Sequence, residues 1–481
     1  MQDARTEWLA TLDRYHRDRE RPATAEYWSP SLDTASRDEL AAIQSAKLRV
    51  AVRFVYECIP LYRRHFQRAG LEPGDIRSIE DLPKIPVMTK QLMAEDLAEH
   101  PPWGTYTAVD DDIWLRHGWQ IFASSGTTGQ PRAFRYTAYD RVMWSWTNAR
   151  AMWAIGFRPG RDSALLAFGY GPHVWLWGVH YGLNLMGIPI VTAGGLDSRA
   201  RVRFIDTYQP TILACTPSYA LYLGSLMREM GLDPAASSVR HIFCGGEPAF
   251  GVPATRRRIE ELWNASLGEF YGCTEASPSA GGYTCAAAIA TKEGPSQTHL
   301  MEDTQIWEVV DPQTFQPLPD GQRGLTVVTN LCSEASPQLR FLVGDFTVLD
   351  RSPCACGRTH ARALGGFQGR ADDMLNIRGV TLFPSAIEDA VRRVPDLGDE
   401  FQIVVTTERE LDVLTVLVEP RPGVDPVQHA ALVQRVETEI ISRCELRPVV
   451  QLVPPGTLPK TEFKAKRVRD LRGQLSQEER R

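Results

Sequence analysis

Apolar residues recur along the chain in two rhythms, and the change between them divides it. From Asp38 to Cys58 they fall at helical spacing, which predicts an amphipathic helix stopped by Pro60. The first 110 residues or so share this texture, rich in helix formers and charge. From about residue 160, short apolar runs alternate with helical patterns. Ala164 to Phe168, Ile188 to Thr192, Thr211 to Cys215, His241 to Cys244 and Glu269 to Tyr271 read as strands, with Tyr219 to Met230 and Ala254 to Trp263 as helices among them. That alternation predicts parallel sheet with crossover helices.

Beyond about residue 370 the pattern shrinks to a small α+β unit. Pro384 to Val394 reads as a helix with Ile387, Val391 and Val394 on one face. Phe401 to Thr407 and Leu411 to Glu419 read as a hairpin, Pro426 to Cys444 as a second helix and Val449 to Val453 as a strand. The expected class is α/β: a large N-terminal domain (1–371) of mixed, largely parallel sheets with crossover helices, and a small C-terminal α+β domain (372–481).

Composition narrows the function classes. The 481 residues carry 53 Lys and Arg against 59 Asp and Glu, a net charge of −6, and 43% are hydrophobic. This is a globular balance, which excludes disordered and fibrous chains. No basic block suggests a nucleic-acid surface. Residues 163–196 contain no charged side chain, but Gly169, Pro172, His173, Gly178, His180, Asn184 and Pro189 break them up. A membrane span needs about 20 continuous apolar residues, so this stretch is expected to be a buried strand followed by a pocket lining. The first residues, Met1 to Glu7, show no basic-then-apolar leader. Nine scattered cysteines do not form a disulfide pattern, so a reducing, cytoplasmic setting is expected.

Four segments carry candidate chemistry. Ser124-Ser125-Gly126-Thr127-Thr128-Gly129-Gln130-Pro131 cannot pack a core, but suits a loop whose N–H groups and hydroxyls wrap phosphate oxygens. It lacks the Gly-Lys-Ser/Thr of a Walker A loop, and its composition alone leaves an ordinary surface loop equally open. Tyr271-Gly272-Cys273-Thr274-Glu275 follows an expected strand and puts a hydroxyl and a carboxylate where ligands gather in α/β sheets. A carboxylate beside phosphates can hold Mg²⁺. Gly344-Asp345 and Gly369-Arg370-Ala371-Asp372-Asp373 come next, and Leu458-Pro459-Lys460-Thr461-Glu462-Phe463-Lys464 lies near the C-terminus.

In order and spacing these segments resemble the adenylate-forming superfamily of acyl-CoA synthetases, luciferases and peptide-synthetase adenylation domains. Ile59-Pro60-Leu61-Tyr62-Arg63, Leu82-Pro83-Lys84-Ile85-Pro86 and Arg378-Gly379-Val380-Thr381-Leu382-Phe383-Pro384 are similar to its phenylacetate–CoA ligase branch. The resemblance implies a two-step reaction: a carboxylate attacks the α-phosphate of ATP to give acyl-AMP and pyrophosphate, and coenzyme A then displaces AMP. By the same resemblance Ser124, Ser125, Gly126, Thr127, Thr128 and Gly129 hold the β- and γ-phosphates, Thr274 lies near the α-phosphate and Glu275 holds Mg²⁺. Asp345 accepts the ribose hydroxyls, Arg370 supports that side, and Gly245, Gly246 and Glu247, with Tyr271 and Gly272, line the nucleotide site. Lys464 is the implied catalytic lysine, and Asp372 the hinge of a mobile C-terminal lid. Two departures stand out: Gln130 replaces the lysine many relatives carry in the loop, and Phe463 replaces the glycine before the catalytic lysine. Lys460 and Lys466 flank Lys464.

Cys354-Ala355-Cys356 is a tight pair of thiols. Zinc favours four thiolate or imidazole ligands, and the resemblance implies a structural site completed by Cys285 and His299, with Cys332 and His360 as substitutes. Tyr170, His173, Trp175, Trp177, His180 and Tyr181 are expected to line an acyl pocket. Aromatic walls favour a ring-bearing acid, so an aryl carboxylate is the expected substrate. A carrier-protein thiol, an amine or a hydroxyl remain alternative acceptors, a non-catalytic nucleotide-binding relative is a second class, and a homodimer is left open.

Overall fold

The structure is a computed structural model that describes residues 2–124, 132–171, 173–292, 295–378, 380–408, 411–460 and 467–472. Its contacts group into two units. The first comprises residues 1–195 and 268–366, the second residues 196–267 and 367–481.

The first unit opens on helices. Arg37–Cys58 begins at a reciprocal cap in which Ser36 accepts from the Glu39 N–H while the Glu39 carboxylate accepts from Ser36. An antiparallel hairpin, Gly118–Ala123 with Ala133–Thr137, leads into the helix Ala138–Ile155. That helix is buried on nearly all sides beyond Met143, so it carries no amphipathic stripe. The parallel strands Ala164–Leu166 and Ile190–Thr192 are joined by the helix Val174–Met186. This helix packs against Ala138–Ile155 where Gly178 and Gly182 face Asn148 and Met152. A Cβ at Gly182 would come within 2.7 Å of the Asn148 Cβ, so only glycine permits the approach.

The rest of the unit is an antiparallel run of seven strands. Their spatial order is Gln305–Val310, Arg323–Asn330, Phe341–Asp350, Arg362–Leu364, Gln297–Leu300, Ser277–Tyr283 and Ser266–Cys273. Parallel pairing in the region expected to be large-domain sheet is thus concentrated between residues 164 and 244, and the later strands supply the antiparallel part of a mixed α/β fold.

In the second unit the parallel strands Ile212–Cys215 and His241–Cys244 alternate with the helices Ser198–Tyr208, Pro217–Glu229 and Pro253–Trp263. The C-terminal part folds Leu397–Glu408 and Leu411–Pro420 as a hairpin. Val449–Leu452 and Val468–Asp470 flank it in parallel, and the helices Pro384–Arg392 and His429–Cys444 cover it. Ile387, Val391, Ile403, Val416, Val436 and Ile440 fill the core between. Each such side chain contributes about 1.5–3 kcal/mol on burial. Among the described residues no helix is long and apolar enough to cross a membrane.

Candidate active site

Three motif segments meet in the first unit. The Ser/Gly/Thr loop closes the hairpin: the Ser124 N–H donates to the Arg132 carbonyl (3.0 Å), and the Arg132 N–H donates to Ser124 Oγ (3.3 Å). Residues 125–131, including Ser125, Gly126, Thr127, Thr128, Gly129 and Gln130, lie outside the described residues. The Arg132 side chain is buried, with Nη2 2.9 Å from Glu275 Oε1, also buried.

The turn Thr274–Ala276 is fixed through its backbone. Tyr136 Oη donates to the Thr274 carbonyl (2.9 Å), Ser336 Oγ to that of Glu275 (2.5 Å) and Asn330 Nδ2 to that of Ala276 (2.8 Å). Three consecutive carbonyls are therefore tied by side chains from three other segments. This leaves the Glu275 carboxylate aimed at the base of the loop.

Asp345 reaches the same neighbourhood through a bulge. In the pairing of Arg323–Asn330 with Phe341–Asp350, Leu325 faces Phe346 but Val327 faces Leu342, and Gly344 takes φ +89°. The extra residues re-aim the strand locally, and Asp345 Oδ2 accepts a hydrogen bond from the Tyr271 hydroxyl.

Around the helix Val174–Met186 the aromatic residues form a cluster. Tyr170 and Trp177 have centroids 5.2 Å apart, His180 and Tyr181 5.3 Å, Trp119 and Tyr181 5.3 Å, and Phe168 and Trp175 4.5 Å. Tyr170 Oη lies 3.5 Å from His180 Nδ1. Burial lowers the His180 pKa from its ordinary value, which favours the neutral ring. His173 stands exposed at the helix N-cap.

Cys285, His299, Cys354 and Cys356 converge, with all four donor atoms within 4.8 Å of one another. Cys285 and Cys354 have their sulfurs 3.9 Å apart, and Cys356 Sγ lies 3.3 Å from His299 Nε2. A disulfide needs about 2.05 Å, whereas a tetrahedral zinc site has sulfur–sulfur edges of about 3.8 Å and sulfur–nitrogen edges of about 3.6 Å. His299 Nδ1 lies 3.1 Å from the His360 carbonyl; donation there leaves the Nε2 lone pair for a metal. The donor set therefore fits zinc. Cys332 and His360, the expected substitutes, are not in the cluster. His360 Nε2 instead donates to the Leu32 carbonyl (2.9 Å).

In the second unit Gly245, Gly246 and Glu247 follow the strand His241–Cys244. Glu247 Oε2 accepts from the Ser218 hydroxyl (2.7 Å) at the start of the helix Pro217–Glu229. Arg370 immediately precedes the short turn Ala371–Asp373, which contains Asp372. Lys464 lies outside the described residues. Arg132, Tyr136, Asn330 and Ser336 escape a motif-based reading. Only Arg132 carries a local signal, as the first charged residue after the loop.

The chain is also similar to known proteins. Residues 82–330 fit the family described as AMP-binding enzyme, and residues 379–472 the AMP-binding enzyme C-terminal domain. The chain is 35% identical to a phenylacetate–coenzyme A ligase of Thermus thermophilus, over 92% of this chain and 99% of that protein. It is 34% identical to one of Escherichia coli, over 92% and 97%. A 2-hydroxyisobutyryl-CoA ligase solved in the postadenylation state with 2-HIB-AMP superposes with a TM-score of 0.86 at 31% identity, covering 93% of each chain. With its mixed α/β fold and a C-terminal domain after the AMP-binding region, the chain belongs to the adenylate-forming enzymes, in the phenylacetate–CoA ligase-like family.

Proposed function

We propose that the chain activates an aryl carboxylic acid with ATP and transfers the acyl group to coenzyme A. In the first half-reaction a carboxylate oxygen attacks the α-phosphorus, and pyrophosphate leaves. In the second, the thiol sulfur attacks the acyl carbon, loses its proton, and AMP leaves. The observation that carries this reading is a chain of contacts between segments far apart in sequence: Ser124 with Arg132, Arg132 with Glu275, and Asp345 with Tyr271 of the motif that also holds Thr274 and Glu275. The aryl preference draws on the aromatic cluster around Tyr170, Trp177, His180 and Tyr181 and on the phenylacetate ligases among the relatives.

In this reading the loop 124–129 holds the β- and γ-phosphates, Thr274 donates near the α-phosphate, and Asp345, oriented by Tyr271, accepts the ribose hydroxyls. Gly245, Gly246 and Glu247 line the adenine side, Arg370 supports the ribose, and Lys464 offsets charge building in the first transition state. Mg²⁺ held by Glu275 supplies charge neutralisation on the phosphates. The C-terminal domain turns about Asp372 between half-reactions, and zinc on Cys285, His299, Cys354 and Cys356 is structural. The enzyme works in the cytoplasm.

Pyrophosphate release from Mg-ATP tests this across benzoate, phenylacetate, hydroxy- and aminobenzoates and 2-hydroxyisobutyrate, each with and without coenzyme A. Acid-dependent release with acyl-CoA formed only when the thiol is present is the expected result. Release without thioester assigns the adenylate to another acceptor. Release with 2-hydroxyisobutyrate alone replaces the aryl class with a small aliphatic hydroxy acid.

A further inference from the structure

The turn from Cys354 to Gly357 carries two of the four cluster ligands and is closed by the Gly357 N–H, which donates to the Cys354 carbonyl (2.9 Å). Gly357 takes φ +78°, and a Cβ there would collide with Tyr27 Oη, so only glycine lets the turn settle on that ring. Tyr27 Oη donates to the Cys356 carbonyl (3.1 Å). Arg358 follows at once and lays its guanidinium over the Tyr27 ring, 5.0 Å from the centroid.

Arg358 is a buried cation with no carboxylate of its own among the described residues. It is 5% exposed, and its Nη2 is buried without a hydrogen-bond partner among them. Asp33, whose charge reaches it, is already paired with Arg150 at 2.7 Å. Cys356 supports its charge, both electrostatically and by a side-chain hydrogen bond. A buried charge is costly unless an opposite charge meets it. The cluster has the complementary need. Metal binding requires thiolates, so a divalent ion on three thiolates and one neutral imidazole leaves one net negative charge. Cys285 and His299 are fully buried and Cys354 nearly so, which leaves little water to screen that charge. We infer that Arg358 is the counter-ion of the metal-bound cluster, offsetting the charge that three thiolates leave on a divalent ion. The inference rests on the proposed reading that the cluster holds zinc.

Competition with a zinc chelator of known affinity tests it, with no acid or ATP present. Arg358→Gln, which removes the charge, is expected to bind zinc roughly ten- to a hundredfold more weakly, the usual cost of losing a group that supports metal ligands. Arg358→Lys, which keeps the charge but not the planar stacking, is expected to stay within about fivefold of the natural chain, a rescue that a merely structural arginine would not permit. In a Cys356→His background zinc sits on two thiolates and two imidazoles, and the site is neutral. The same Arg358→Gln change is expected to cost less than about threefold there. A glutamine variant that folds only in that background supports the assignment equally. Unchanged zinc binding in Arg358→Gln, a lysine variant as weak as the glutamine one, or an equal loss or failure to fold in both backgrounds would each overturn it. If the natural chain holds zinc with no dependence on Arg358, the metal reading stands and the counter-ion falls. If it holds no zinc, both fall.

Discussion

The Tyr271 hydroxyl donates to Asp345 Oδ2, so a residue of one strand-end motif aims the carboxylate of another 74 positions later. Tyr271 is half-buried beside Trp307, with ring centroids 6.1 Å apart. Removing the hydroxyl therefore disturbs orientation more than packing. Tyr271→Phe is expected to weaken ATP binding about fivefold, the worth of one neutral hydrogen bond, with a thermal midpoint close to that of the natural chain. Asp345→Ala, which removes the proposed ribose acceptor, is expected to weaken it at least tenfold. Equal affinities in calorimetry for the natural chain and Asp345→Ala would remove Asp345 from the nucleotide site.

The four-ligand cluster makes a second prediction. Purified protein is expected to carry about one zinc per chain, and Cys354→Ser to lower the thermal midpoint by roughly 10 °C, since structural zinc contributes directly to folding energy. The loop also ties down the N-terminal region. Tyr27 Oη donates to the Cys356 carbonyl (3.1 Å), the Thr359 N–H to that of Asp33 (3.2 Å), and His360 Nε2 to that of Leu32. Metal removal is therefore expected to raise amide exchange between residues 27 and 37 as well as around the ligands. A metal-free protein with the same midpoint and exchange would rule out the site.

What the sequence revealed and what it hid follow from range. His241–Cys244 is found where its apolar run predicts it, and the C-terminal hairpin and helices keep nearly their expected bounds. These elements show their burial as a local period. Ser277–Tyr283, made of Ser, Pro, Ala, Gly and Tyr, carries no strand signal, and its pairing partners define it. Arg323–Asn330 is buried on both faces beyond its first residue, so it shows no alternation. The same holds at the site. Motif spacing brought out Thr274 and Glu275, but the contacts that fix the turn Thr274–Ala276 come from Tyr136, Ser336 and Asn330, 138, 61 and 54 positions away from the carbonyls they hold. No local pattern connects residues so far apart.

A third prediction concerns how the C-terminal segment is seated within the second unit. The helix Pro253–Trp263 begins at Val252, whose side chain offers no cap. Asp389 Oδ1 takes that place, accepting from the Ala254 N–H (3.1 Å), and Glu388 Oε1 accepts from the Thr255 hydroxyl (3.1 Å). Nearby, Arg258 Nη2 lies 2.7 Å from Asp399 Oδ1, and Ser225 Oγ donates to Asp399 Oδ2 (2.8 Å). A lost helix cap costs about 1 kcal/mol, so Asp389→Ala is expected to raise amide exchange at residues 254–257 about fivefold. If the C-terminal domain turns between half-reactions, this variant also slows acyl-AMP formation more than thioester formation from supplied acyl-AMP. Equal slowing of both steps would show that the contact serves stability alone.

The last prediction is a pH dependence built into the core. Asp140 is fully buried at the start of the helix Ala138–Ile155. Its carboxylate accepts from the Thr137 N–H (3.1 Å) and hydroxyl (3.0 Å), from the Ser333 hydroxyl (2.8 Å) and from the N–H groups of Glu334 (2.9 Å) and Ala335 (3.1 Å). Burial, and then the charge of Glu334, outweigh these donors and push its pKa up from 3.8 to about 6. The folded state thus holds this proton more tightly than the unfolded chain. The resulting stabilisation is fully present below about pH 4 and is lost as pH rises through about 6. Asp140→Asn cannot titrate. Relative to that variant, the natural chain is therefore expected to gain about 1 kcal/mol of unfolding free energy between pH 7 and pH 5. Urea titrations of both proteins at the two pH values measure the difference. A gap between them that stays constant from pH 7 to pH 5 would show that Asp140 is already ionised throughout and that its five donors, not its burial, set its charge.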